Sequence, residues 1–130
     1  MTDCIFCKIA EGSIPSSKIW EDENSFAFLD INPIAPGHTL LIPKKHQDYL
    51  FDMEDEKYSE MMLKAKKLSN SIKKATGAKR IGVMVEGFLV PHAHIHLIPI
   101  SSPADFNSRN ARKADPKELR EMAERIKAQL

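Results

Sequence analysis

The sequence lacks an excess of charge of either sign. Nineteen Lys and Arg against eighteen Asp and Glu leave a formal +1 over 130 residues. That excludes the broad basic face that holds long nucleic acids, so no nucleic-acid polymer is expected as a partner. A small anionic ligand would need local donors instead. Long hydrophobic runs are missing too, and stretches such as Thr39 to Pro43 are far too short to span a bilayer. No membrane partner is therefore expected. The opening Met1-Thr2-Asp3-Cys4 has no basic segment followed by an apolar stretch, the pattern of a secretion signal, so the expected compartment is cytoplasmic. Internal repeats and low-complexity segments are absent. Cysteine is scarce, with Cys4 and Cys7 three positions apart. Without an export signal this spacing points to a metal or redox pair rather than a structural disulfide.

What is present reads as one ordinary globular domain over 1–130, with 42% hydrophobic and 28% charged residues. From Cys4 to Glu11, apolar Ile5, Phe6, Ile9 and Ala10 share a helical stripe that Gly12 ends. Ile19 to Trp20 and Phe26 to Leu29 are β-prone runs around the polar turn Glu21 to Asn24, a predicted hairpin. Asn32-Pro33 and Pro36-Gly37 mark a loop before an extended run from Thr39 to Ile42. From Asp55 to Ala75, Tyr58, Met61, Met62, Ala65, Leu68, Ile72 and Ala75 recur at helical spacing, with Gly77 as C-cap. The lysines at 64, 66, 67, 73 and 74 read as a solvated face of that helix. Arg80 to Val85 and His92 to Ile100 are further strands, and Ser101 to Lys113 is irregular. A last helix starts with Asp115 as N-cap, Pro116 at its first position and Glu118 completing a capping box. Its expected buried stripe is Leu119, Met122, Ala123, Ile126 and Leu130. The sum is an α+β domain.

The chemistry concentrates in five histidines. In an extended strand His92, His94 and His96 share one face, about 6.5–7 Å apart, while Ala93, Ile95 and Leu97 face the core. Buried imidazoles each need polar partners, so three on one face are a poor packing device. His38 follows Pro36-Gly37, and His46 follows Pro43-Lys44-Lys45, so all five point to one site. Two chemistries suit it. A neutral imidazole can attack a phosphorus or acyl centre and later be displaced. Imidazoles can also ligate a transition metal, with Cys4 and Cys7 as co-ligands.

His92-Ala93-His94-Ile95-His96-Leu97-Ile98 resembles the alternating signature of the histidine triad superfamily. The resemblance extends to Cys4-Ile5-Phe6-Cys7-Lys8-Ile9, to Phe26 through Pro33, and to Ala35-Pro36-Gly37-His38 through His46, covering about 3–100. It implies an antiparallel sheet of about five strands with one long helix and short N- and C-terminal helices, the segment 101–130 being an extension. Two such sheets would join across a homodimer. It implies a hydrolase or transferase acting on a purine nucleotide or dinucleotide, with His94 attacking the α-phosphate and a nucleotidyl-histidine as intermediate. His96 and His38 match positions lining the phosphate, and Asp30 matches the ribose-binding carboxylate. Ile5, Phe6, Ile9, Phe28 and Ile31 would form the slot for the base. The similarity to zinc-bearing bacterial-type members adds a zinc ion on Cys4, Cys7, His46 and His92.

One stretch departs from the pattern. Val85-Glu86-Gly87-Phe88-Leu89-Val90-Pro91 replaces an asparagine followed by a glycine–glutamine–serine or –threonine loop. The hydroxyl that would serve the leaving group is gone. Three functions remain open: hydrolysis, nucleotidyl transfer to another acceptor, and a zinc-stabilised nucleotide-binding module without turnover. With no donor among Phe88 to Pro91, good leaving groups are expected to be favoured, as in dinucleoside polyphosphates or aryl phosphoramidates. Another acid from His96, His38 or Ser101 to Lys113 would change that order.

Overall fold

The alternation of apolar residues in the central strands buries them on both sides and builds a sheet with two covered faces. The computed structural model describes residues 3–130. Its strands are β1 (Lys18–Glu21), β2 (Ser25–Leu29), β3 (Thr39–Pro43), β4 (Arg80–Met84) and β5 (Ile95–Ile100). They form one antiparallel sheet in the order β1-β2-β3-β5-β4. The helices are α1 (Ile5–Ala10), α2 (Asp55–Thr76) and α3 (Pro116–Lys127). No helix among the described residues is long and apolar enough to cross a membrane.

One face of the sheet presents Ala27, Leu29, Leu41, Ile95 and Leu97, which pack with Met61, Ala65, Leu68 and Ile72 of α2 and Met122, Ala123 and Ile126 of α3. The segment after residue 100 is therefore part of the main core. The opposite face presents Phe26, Phe28, Leu40 and Ile42, closed by Phe6 and Ile9 of α1. Register aligns Phe28, Leu40, His96 and Met84 in a row across this second face. Because side chains alternate, a one-residue slip would send the histidines into the main core.

The predicted hairpin forms, and its turn is tied by Asp22 Oδ1, which accepts from the backbone N–H of Asn24 and Ser25 at 2.9 and 2.8 Å. The long helix runs as the periodicity predicts and ends in a left-handed Gly77, φ 72°. Lys66, Lys67, Lys73 and Lys74 are solvated, but Lys64 is not. Its stem reaches the hairpin, where Nζ donates to the buried Ser25 Oγ at 2.8 Å and pairs with Asp22 Oδ2 at 3.0 Å.

Three local expectations change. β5 begins at Ile95, so His92 and His94 precede the strand. The backbone there is drawn into other bonds: His92 N–H donates to Val90 O at 2.8 Å, and Ala93 N–H to Gln47 O at 2.6 Å. The alternation survives, since Ala93 still enters the main core. Asp115 caps α3 through the Lys117 N–H at 2.9 Å, and no capping box with Glu118 is formed. The capping box of this region joins Ser102 and Asp105 instead. Leu130 lies past the helix end and is 49% exposed, outside the stripe that Met122, Ala123 and Ile126 form.

Candidate active site and metal site

The face closed by α1 carries a chain of imidazoles whose tautomers are fixed by their neighbours. The backbone N–H of Ile34 donates to His38 Nδ1 at 3.0 Å, so in neutral His38 the proton sits on Nε2. His38 Nε2 lies 2.9 Å from His96 Nδ1 and donates to it. His96 must then carry its own proton on Nε2. That nitrogen is buried and has no hydrogen-bond partner among the described residues.

His94 is oriented in the opposite sense. Its Nδ1 lies 2.7 Å from the carbonyl of His92, a bond the nitrogen makes as donor, which leaves the Nε2 lone pair free. The ring is buried, 4.8 Å between centroids from His96 and 5.0 Å edge-on from Phe6. The Nε2 side of His94, turned away from the Nδ1 bond, thus sits beside the Nε2–H donor of His96. Burial, with the neighbouring His94 as the next contribution, pushes both His38 and His96 down to about 4, so both stay uncharged at neutral pH. Asp30 Oδ2 is 3.6 Å from His38 Nε2, and its Oδ1 accepts from the Asn32 N–H at 2.9 Å. Burial raises its carboxyl above the ordinary value, while that N–H bond works the other way.

Cys4, Cys7, His46 and His92 converge separately, their ligand atoms all within 4.8 Å of one another. His92 Nε2 donates to the Pro43 carbonyl at 2.8 Å, which turns the lone pair of Nδ1 toward the thiols. That nitrogen is 3.3 Å from Cys4 Sγ and 3.5 Å from Cys7 Sγ, and His46 Nδ1 is 3.4 Å from Cys7 Sγ. Burial pushes the Cys7 thiol up, as does its contact with Cys4. Two thiols and two imidazoles, each ring with its Nδ1 turned toward a thiol, suit tetrahedral zinc.

Of the apolar residues matched to a base slot, Phe6, Ile9 and Phe28 are buried in the second core, whereas Ile5 and Ile31 are 46% and 60% exposed. Asp105 lies in the polar segment after β5, where its Oδ2 is taken up by the backbone N–H of Ser101 and Ser102 at 2.8 and 3.0 Å. Glu86 also reaches the histidine face. A carboxylate oxygen of Glu86 and a ring nitrogen from each of His94 and His96 lie within 4.8 Å of one another. The signal for it lay in strand register: Met84 faces His96, so alternation turns Glu86 to the same side.

A two-faced antiparallel sheet with a line of tautomer-locked imidazoles beneath a short N-terminal helix defines a histidine triad protein. The HIT domain family matches residues 11–102, and the chain belongs to that family. An uncharacterized HIT-like protein of Borreliella burgdorferi is 45% identical over 107 residues, 76% of each chain. An adenosine 5'-monophosphoramidase of Saccharomyces cerevisiae is 44% identical over 97 residues, 74% of this chain and 61% of that protein. An adenylylsulfatase of Arabidopsis thaliana is 39% identical over 102 residues, 75% of this chain and 52% of that protein. The chain thus spans little more than half the length of these two named enzymes. Among solved structures, a Hit-like protein of Bartonella henselae superimposes with a TM-score of 0.87 at 34% identity, covering 100% of this chain and 98% of that one. A Zn-bound histidine triad protein of Mycobacterium smegmatis gives 0.83 at 28% identity, covering 98% and 93%.

Proposed function

We propose that the chain is a nucleotide hydrolase that works at the α-phosphate through a nucleotidyl-histidine on His94. The observation that carries this reading is the Nδ1 bond of His94 to the His92 carbonyl, which leaves Nε2 as a lone-pair nucleophile in a buried site. His94 Nε2 attacks the phosphorus, and the leaving group departs with the electron pair of its bond. Water then attacks the same phosphorus, the bond to His94 breaks, and nucleoside monophosphate leaves. His96 Nε2–H donates to a phosphoryl oxygen, held in place by the chain from Ile34 through His38. Asp30 accepts from the ribose hydroxyls, and the base lies against Ile31, Ile5 and the apolar group behind them. The yeast and plant relatives, named for hydrolysis of adenosine phosphoramidates and adenylyl sulfate, support the general class. Purine phosphoramidates and dinucleoside polyphosphates are the substrates in scope.

We infer that Cys4, Cys7, His46 and His92 hold a zinc ion. Its chemistry here is ligation that ties the start of α1 to the backbone carrying His94. His92 is thereby a positioning residue, because its carbonyl orients the nucleophile.

The test is turnover of a panel of adenosine and guanosine phosphoramidates and dinucleoside polyphosphates by wild type and His94→Ala. Release of nucleoside monophosphate by wild type alone supports the hydrolase. Equal nucleotide binding by both proteins with no turnover by either would instead mark a binding module.

A further inference from the structure

We propose that Glu86 is the general base that admits water to nucleotidyl-His94, and that the same carboxylate receives the N–H of an amine leaving group. The proposal rests on His94 as nucleophile. Glu86 is exposed at the mouth of the site, yet one of its carboxylate oxygens lies within 4.8 Å of a ring nitrogen of His94 and of His96. The placement follows from register. Met84 pairs with His96, Val85 packs against the main core, and Glu86 therefore returns to the histidine face opposite His94.

A second observation points into the same space. His96 is nine-tenths buried, and its Nε2 has no partner among the described residues. A ligand oxygen held there sets the phosphorus beside His94, on the face that Glu86 shares. Glu86 is exposed, so solvent water reaches its carboxylate directly beside the reacting phosphorus. The other carboxylate of the face, Asp30, sits beyond His38 and is engaged by the Asn32 N–H. Phe88, Leu89, Val90 and Pro91 carry no group that moves a proton.

The steps balance. A phosphoramidate reacts with its nitrogen protonated, that nitrogen donating an N–H to Glu86. His94 Nε2 forms a bond to phosphorus, and the old P–N bond breaks with its electron pair remaining on the departing amine. Water takes the vacated place, its oxygen bonds to phosphorus, and one of its protons passes to Glu86. The bond to His94 breaks with its pair returning to Nε2, and Glu86 releases the proton to solvent. A carboxylate at this position attracts a proton-bearing amine and repels a polyphosphate. It therefore favours phosphoramidates, the reverse of the order expected from the side chains of Phe88 to Pro91 alone.

The experiment compares wild type, Glu86→Gln and His94→Ala on the p-nitrophenyl ester of AMP, whose leaving group needs no proton. Glu86→Gln should release its first nitrophenolate within about threefold of the wild-type rate and then turn over about 10²-fold more slowly, the lower end of what a positioned base supplies. Fluoride, a nucleophile with no proton to lose, should restore the steady state of Glu86→Gln as nucleoside fluorophosphate. Unchanged turnover in Glu86→Gln, or an equal fall in first and later turnovers without fluoride rescue, would overturn the proposal. Wild-type release by His94→Ala would overturn the nucleophile assignment instead.

Discussion

At the scale of single residues, the site works by fixing which nitrogen of each ring bears the proton. His38 and His96 are held neutral by burial, both near 4 against 6.5 for a free imidazole. The sign of the linkage follows. Between pH 6.5 and 4 the unfolded chain takes up protons that the folded chain refuses, so stability falls as pH falls and levels off below that window. Urea midpoints measured with chelator present, so that the thiol site does not contribute, should decline with acid across it. In His38→Gln, whose amide N–H replaces the Nε2–H donor, the decline should be shallower. Equal slopes in the two proteins would show that His38 is not the buried neutral group described. His96 has a different role in the proposed reaction, where its Nε2–H donates to the phosphoryl group. His96→Ala should lower kcat by about 10²–10³, the usual loss when one such donor is removed. A change confined to KM would assign His96 to ground-state binding alone.

At the scale of elements, the loop before β3 sets the start of the imidazole chain. Gly37 has φ +96°, and a Cβ built there would stand 2.6 Å from Thr76 Cγ2 and 3.2 Å from Pro99 Cγ. Gly37→Ala should therefore lower stability by about 1–3 kcal/mol through backbone strain, with the clash adding to that. Activity should fall with it, because His38 is the next residue; a chemical melt that leaves the midpoint unchanged would refute the strain. How much of this was legible in the sequence depends on what each feature answers to. The α2 stripe of Met61, Ala65, Leu68 and Ile72 was readable because one helix face meets one core. The start of β5 was not, since His92 is pulled to Pro43 and Ala93 to Gln47, both distant in sequence. Neither was Glu86, whose orientation depends on pairing between β4 and β5. The resemblance points to Cys4, Cys7, His46 and His92 as a set, and the fold brings those four side chains together.

At the scale of the whole molecule, the thiol–imidazole cluster joins the N-terminal helix to the loop after β3 and the triad segment. Protein purified without added zinc should carry close to one zinc per chain, and less than about half an equivalent would count against the four-ligand site. Chelation should lower the melting temperature of wild type and leave Cys4→Ser unmoved. Burial holds the proton on Cys7, so zinc uptake should release protons and weaken as pH falls. The edge strand β4 pairs with β5 on one side, and Val83 in it is 49% exposed. We propose that a second copy covers this edge. Light scattering at micromolar concentration should give twice the chain mass of 14.7 kDa, and a monomer would reject the joined sheet.

The most direct test is to quench the protein during incubation with a slow nucleotide substrate and map the label by peptide mass spectrometry. One nucleotidyl group should be found per chain, bound to His94. The same group on His92 or His96, or none at all during measured turnover, would contradict the central assignment.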